Sequence, residues 1–429
     1  MAYNRKQRLN DNIKAIETAF ILDREQRTPT ARERLLLERY CGFGGLKCIL
    51  NPARELADAV HWAKSDLELF APTVELHRLI RENSKNESEY KQLMDSLKQS
   101  VLTAFYTPSA VTEALTDVLK EHQIIPEKVL EPSAGIGAFV DSVLDNNPKA
   151  DIMAFEKDLL TGKILHHLHP EQKVRIEGFE KIEKPFNDYF DLAISNIPFG
   201  DVAVFDPSYT AMKGMRALVT RRIHNYFFVK ALDTVRDGGL VAFITSQGVL
   251  NAKNNSAARF MMLYHADLVS AIRLPNNLFT ENANTEVGSD LIILQKNTQK
   301  ESLRGDDNLL DTVYNDENRI PTNNYFLEHP ERIIHTTAKL DTDPFGKPAM
   351  IYTHEDGVEG IAEDLRKMLH EDFKKNLNLN RYLGIEGTMS EEVKEVEETE
   401  KIEKTEKMKP SIEEKQNDTV VSLQKQEKP

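Results

Sequence analysis

Val129-Leu130-Glu131-Pro132-Ser133-Ala134-Gly135-Ile136-Gly137-Ala138-Phe139 reads as a β-strand that runs through a glycine turn into a helix. Glycines at 135 and 137 let the backbone approach a ligand, and the start of the following helix offers unpaired N–H groups. The spacing is not the Gly-x-Gly-x-x-Gly of dinucleotide sites, and no Gly-Lys-Ser/Thr follows, so a phosphate cradle is not expected. The next strand ends in Glu156, nineteen positions after Gly137. A carboxylate there is placed to accept both ribose hydroxyls of an adenosine-type ligand. Each signal alone is weak, because strand-to-helix turns commonly carry glycine and a lone strand-end carboxylate is usually solvated. Together, at this spacing, they favour a nucleoside cofactor.

Working outward, short β-branched or aromatic runs alternate with helical stretches from about 101 to 296. Strands are expected at Lys128–Glu131, Asp151–Phe155, Val174–Ile176, Asp191–Ser195, Leu240–Thr245, Val269–Arg273 and Leu291–Gln295. Most are flanked by Gly, Pro, Asn or Asp. The alternation predicts an α/β fold with a mostly parallel sheet, helices over both faces and ligands at the carboxyl ends of the strands. Residues 1–100 read as a helical region, with Ile13, Ile16, Ala19 and Phe20 at helical spacing and Thr30 placed as a cap. Cys41-Gly42-Phe43-Gly44-Gly45 interrupts it, most simply as a turn between helices. A catalytic domain is expected over 101–298 and a mixed extension over 299–389, with a helix from Gly360 to Phe373. The Glu/Lys-rich stretch 390–429 has almost no large apolar content and is expected to be a disordered tail, a solvated single helix being the alternative.

The chain has 429 residues, enough for two or three domains. Its formal charge is −14, from 55 Lys+Arg and 69 Asp+Glu. The stretch 391–429 holds twelve acids and eight bases, so −10 remains on the rest. Coating of nucleic acid by bulk charge is therefore excluded, and any such contact must be a local patch. Two cysteines, Cys41 and Cys48, form neither a disulfide framework nor a thiolate zinc site. No apolar run approaches the length of a membrane span, so a soluble cytoplasmic protein is expected. His166, His167 and His169 have metal-ligand types but no partnering cysteine or second pair. They are read as a surface cluster at a helix end, and no metal is expected.

A second motif, Asp191-Leu192-Ala193-Ile194-Ser195-Asn196-Ile197-Pro198-Phe199-Gly200, is again a strand ending in a polar and aromatic loop. Here the chain resembles the N6-adenine DNA methyltransferases, whose hallmark Asn/Asp-Pro-Pro-Tyr/Phe/Trp is matched by Asn196-Ile197-Pro198-Phe199. Phe105-Tyr106-Thr107-Pro108 and Gly238-Gly239-Leu240-Val241-Ala242-Phe243-Ile244-Thr245 resemble further segments of that family. The motif order is similar to that of type I modification subunits. A closer resemblance is to the methylase portions of methylase–helicase fusions of bacterial mobile elements and phages. It rests on Tyr40-Cys41-Gly42-Phe43-Gly44-Gly45-Leu46, Asn196 to Asp201, Ile223-His224-Asn225-Tyr226-Phe227-Phe228 and Asn284-Thr285-Glu286-Val287-Gly288-Ser289-Asp290, and covers roughly Thr30 to Lys296.

The resemblance implies a Rossmann-like class I S-adenosylmethionine-dependent methyltransferase with a seven-stranded sheet, and transfer of a methyl group to adenine N6 in DNA. It implies S-adenosyl-L-methionine as cofactor, held by Tyr106, Thr107, Glu131, Pro132, Ser133, Gly135, Gly137, Glu156 and Glu180. It implies catalysis by the loop Asn196, Ile197, Pro198 and Phe199. The exocyclic amine of adenine is a poor nucleophile. Accepting its N–H bonds with the Asn196 side-chain oxygen and a loop carbonyl favours the transition state, while Phe199 stacks on a base rotated out of the duplex. Ile197 stands where most members have proline, so the loop is expected to lose proline's fixed φ. Lys213, Arg216, Arg221 and Arg222 form a basic stretch beyond the loop, the best candidate for phosphate contact, with a solvated charged face as the plainer reading. A helicase or specificity partner is a further expectation. Competing readings are methylation of a protein glutamine or an RNA adenine, or a catalytically silent nucleic-acid-binding or interaction module.

Overall fold

The computed structural model describes residues 4–385 apart from 104, 105, 213, 281–285, 304, 306, 315–319, 344 and 345. Phe105, Lys213, Asn284, Thr285 and the expected tail lie outside the described residues.

All seven expected strands form one sheet: β1 Lys128–Glu131, β2 Asp151–Phe155, β3 Lys173–Arg175, β4 Phe190–Asn196, β5 Val235–Ser246, β6 Ala266–Leu274 and β7 Ser289–Lys296. Their order is β3-β2-β1-β4-β5-β7-β6. Pairing is parallel except at β7, which runs antiparallel to both β5 and β6. From β1 the chain builds outward through β2 and β3, then returns to place β4 on the other side of β1. The crevice between β1 and β4 is therefore the topological switch point, where open α/β sheets bind ligands.

The period-2 alternation of the strands sorts their side chains onto two faces. Val129, Ile152, Leu192, Ile194 and Leu240 join one core cluster, packed under helix α5 Ser109–Glu121 and helix α6 Ala138–Asn146. Leu130, Met153, Ala193, Val241 and Phe243 join the other, under the helices Ile223–Thr234 and Ser256–His265. β7 is buried along all of its length, as a central strand covered on both faces should be.

Ahead of α5 lie the amino-terminal helices α1 Arg5–Glu25, α2 Ala31–Leu37, α3 Phe70–Glu82 and α4 Glu87–Thr103. Thr30 caps α2 in a capping box with Glu33. Their apolar faces form a third cluster that also takes in Leu160, Ile164 and Leu168 of helix α7 Leu159–Leu168. The 41–45 turn is fastened to its neighbours: Asn12 Nδ2 donates to the Gly42 carbonyl at 2.6 Å and Phe43 N–H to Ser100 Oγ at 3.2 Å.

The helix expected at 360–373 spans Gly357–Asn376 and packs against α5 and β6. Ile361, Leu365, Leu369 and Phe373 belong to the same core cluster as β1. The described residues through Tyr382 form one compact unit. Among the described residues no helix is long and apolar enough to cross a membrane.

Candidate active site

The turn after β1 has the geometry its glycines permit. Gly135 has φ 57° and Gly137 φ 90°, both in the left-handed region that other residues adopt only under strain. A Cβ on Gly135 would lie 2.8 Å from Tyr106 Cε1, and one on Gly137 2.7 Å from His169 Nε2. The turn is tied to the end of β2, because Gly135 N–H donates to Glu156 Oε2 at 2.8 Å and Asp158 N–H to Oε1 at 2.7 Å. Burial, reinforced by the nearby Asp158 charge, pushes the Glu156 carboxyl up to about 8. The turn is also tied to β4: Ser195 Oγ donates to the Ser133 carbonyl at 3.0 Å.

Among the described residues, the buried atoms Glu131 Oε2, Thr107 Oγ1 and His169 Nε2 beside this turn have no hydrogen-bond partner. Burial, with Asp141 and Glu156 nearby, pushes the Glu131 carboxyl well above the usual range. Pro132 beside it is buried. Tyr106 lays its ring on Gly135, and its hydroxyl lies 3.4 Å from Thr161 Oγ1. Glu180 sits on the turn Phe179–Lys181 after β3, its carboxylate 3.6 Å from Lys157 Nζ, the residue that follows Glu156.

On the other side of the switch point β4 ends in Asn196, half-buried at the sheet edge. Ile197 brings two features beyond the loss of proline's fixed φ. Its N–H donates to the Ile244 carbonyl at 3.0 Å, extending the β4–β5 pairing by one bond, and its side chain is 1% exposed in the core. A proline here would have no N–H to give, so the loop exchanges a fixed φ for a hydrogen bond and a buried anchor. Pro198 and Phe199 are half-buried, and the Phe199 ring meets Phe279 edge to face with centroids 6.2 Å apart.

The basic stretch divides. Arg216 holds Asp233 with two bonds of 2.6 and 2.9 Å. Arg222 donates to Asp201 at 2.6 Å and to Asn255 Oδ1 at 2.8 Å. Both are thus engaged internally, whereas Arg221 is exposed and makes no ion pair among the described residues. The histidine cluster is not a surface feature. His167 is buried against Asp23 at 2.8 Å, and burial pushes buried His169, packed on Gly137, down to about 4. Only His166 is exposed. Among the described residues no group of three His, Cys, Asp or Glu side chains is placed to hold a metal ion.

Sequence reasoning did not identify the supports beneath Glu156. Ser96 of α4 donates to Asp158 Oδ1 and accepts from Leu160 N–H at 3.0 Å. Tyr40 OH lies 3.1 Å from Thr161 Oγ1. Only the resemblance at Tyr40 to Leu46 hinted at that region.

A model of the N-6 DNA methylase family matches residues 88–386. This chain belongs to that family. It is 29% identical over 201 residues to the defense against restriction protein B of Escherichia phage P1, covering 46% of this chain and 8% of that protein. It is 24% identical over 173 residues to the type II methyltransferase M.XamI of Xanthomonas campestris pv. amaranthicola, covering 37% of this chain and 33% of that one. The match thus spans a third or less of either relative's length. Among solved structures it resembles a type I restriction-modification methyltransferase subunit from Streptococcus thermophilus at 12% identity and a TM-score of 0.38, covering 87% of this chain and 94% of that one.

Proposed function

We propose that this N-6 DNA methylase family chain transfers a methyl group from S-adenosylmethionine to the N6 amino group of adenine in DNA. The observation that carries this reading is the placement of the glycine turn and the Asn196 loop at the ends of adjacent strands across the switch point. They are joined by the Ser195–Ser133 hydrogen bond. The cofactor fits the cradle on three counts: a turn that admits no side chain at 135 or 137, a strand-end carboxylate, and unpartnered polar atoms on Glu131 and Thr107. Bound there, S-adenosylmethionine supplies an electrophilic methyl group.

In this reading Gly135 and Gly137 give backbone access and Glu156 accepts from the ribose. Tyr106, Thr107, Glu131, Pro132 and Ser133 line the turn, and Glu180 stands toward the adenine. Asn196 and the carbonyl of Ile197 accept from the target amine, Pro198 shapes the loop and Phe199 packs on the base. Hydrogen-bond acceptors that strengthen in the transition state, together with positioning, supply the chemistry. Among the described members of the basic stretch, Arg221 is the one open to a phosphate. The enzyme acts in the cytoplasm with a partner that supplies sequence specificity or helicase activity. Long-read sequencing of DNA from cells expressing the protein tests the proposal. N6-methyladenine should appear with the wild type and be absent with Asn196→Ala. Its absence in both would refute it.

A further inference from the structure

We propose that the excursion whose limbs are Asp201–Asp206 and Thr220–Arg222 is the element that opens duplex DNA, with Phe205 entering the base stack where the target adenine leaves it. The inference rests on the adenine-methylation reading above and adds a substrate preference to it: duplex over single strand.

The excursion begins two residues after Phe199, so it leaves the sheet at the same edge as the Asn196 loop. Its two limbs are drawn together by the Asp201–Arg222 ion pair at 2.6 Å and by Val204 N–H donating to the Thr220 carbonyl at 2.8 Å. Its foot is Asp206, only 3% exposed, whose Oδ2 accepts from Tyr226 OH at 2.7 Å and from Lys230 Nζ at 3.3 Å. Oδ1 accepts from Ser208 N–H at 2.8 Å.

Phe205 therefore lies between two fixed neighbours, yet its ring is 76% exposed. Among the described residues no other phenylalanine is exposed. A phenylalanine held mostly in water on a braced backbone contributes little to the fold, since it buries little surface. Val202, 61% exposed, stands on the same limb, and exposed Arg221 follows Thr220 on the other.

An exposed aromatic ring, and a guanidinium with no ion pair among the described residues, on the two limbs that follow the Asn196 loop match an opened duplex. Rotating a base out of the stack leaves a gap with two aromatic faces, and apolar side chains inserted between base steps fill such gaps. The cation meets the flanking phosphate. On a chain of charge −14, a wedge that gains affinity by stacking compensates for weak bulk attraction. An apolar protein partner would also cover Phe205, but it would not need the ring six residues beyond Phe199 on a limb that continues the Asn196 loop.

The test uses the full-length protein, tritiated S-adenosylmethionine and unmethylated mixed-sequence plasmid DNA, either as duplex or heat-denatured. Phe205→Ala should lose about tenfold or more in kcat/KM on duplex, the size expected for one lost stack. It should stay within about twofold of wild type on denatured strands, and Phe205→Trp should recover the duplex rate. Undiminished duplex activity in Phe205→Ala would overturn the proposal and give the ring to a protein partner. Equal losses on both substrates would overturn it in favour of a structural role.

Permanganate oxidation of unstacked thymines gives a readout free of methyl transfer. Wild type should create reactive thymines in duplex DNA and Phe205→Ala should not. If wild type methylated neither substrate, the methylation reading would fall. The permanganate comparison would still decide for the wedge if wild type alone opens the duplex, or against it if neither protein does.

Discussion

If Glu156 accepts from the ribose as proposed, its surroundings should tie cofactor affinity to pH. The carboxyl is held between the N–H groups of Gly135 and Asp158, and burial with the Asp158 charge pushes it up to about 8. Accepting both ribose hydroxyls requires the ionised form. With titration near 8, roughly one molecule in eleven is ionised at pH ~7 and roughly nine in ten at pH ~9. Affinity for a ribose-bearing ligand should therefore rise about tenfold over that interval, and binding at pH ~7 should release close to one proton. In the ligand-free protein the sign is opposite. The folded state keeps the proton up to about 8 while the unfolded chain loses it near ~4.3, so the contribution to stability is full at low pH and is lost as pH rises through that window. The assay is calorimetric titration with 5′-methylthioadenosine, which carries the ribose and no amino acid group that titrates in this range, in buffers of different ionisation enthalpy. Glu156→Gln should bind more weakly and show a flat profile. A wild-type profile flat from pH ~7 to ~9, or one matched by the glutamine variant, would refute the assignment of Glu156 to the ribose.

Asn196→Ala should lower methyl transfer by about 10²–10³-fold, the usual cost of removing one hydrogen-bonding group aimed at the transition state, with cofactor binding in calorimetry little changed. Ile197→Pro, which installs the commoner family residue, should destabilise the fold by about 1–3 kcal/mol in urea titrations. It removes the bond to Ile244 and leaves that carbonyl unpaired; an unchanged midpoint would contradict the compensation described above. Arg273 and Asp290 face each other across β6 and β7, 2.9 Å apart and with side chains 3% and 0% exposed. Asp290→Leu alone should cost about 3–5 kcal/mol, and joint replacement by Arg273→Met and Asp290→Leu much less, measured by the same titrations. Arg221→Gln should reduce the log–log salt slope of duplex binding by about 0.9, whereas Arg216→Gln should lower the melting temperature by freeing Asp233 and leave the slope unchanged.

The strand–turn–helix at Val129 to Phe139 and the strand ending at Asn196 were legible because their signals are local: alternating apolar residues, glycines where φ is positive, and a polar residue at the strand end. The first half of β5 was not, because Val235-Arg236-Asp237-Gly238-Gly239 is polar and glycine-rich. Its place in the sheet is supported by remote groups, such as Gln295 donating to the Gly238 carbonyl. The helix Gly357–Asn376 was visible as a helix, but its membership of the sheet core depends on contacts with α5 and β6, more than two hundred residues and about ninety residues away in sequence. Separations of only 17 and 33 residues were enough to hide the fate of the arginines. Asp233 and Asn255 occupy Arg216 and Arg222 from other helices, and nothing in a run of basic residues records that. His169 read as a surface ligand type, yet the close packing of α7 on the glycine turn buries it.

The bracing of α7 by the amino-terminal helices carries a reciprocal consequence. Ser96 on α4 holds Asp158, and the N–H of Asp158 holds Glu156, so the free energy that orders α4 is coupled to the free energy that orders the ribose acceptor. Linkage of this kind runs equally in both directions. A ligand that fixes Glu156 also protects the amino-terminal helices against local opening, and loosening of those helices raises the ligand concentration needed to fill the site. Occupancy would then show in hydrogen exchange at α4 and in the chain's lifetime in the presence of proteases, with supply of the methyl donor acting as a stabiliser of the polypeptide itself.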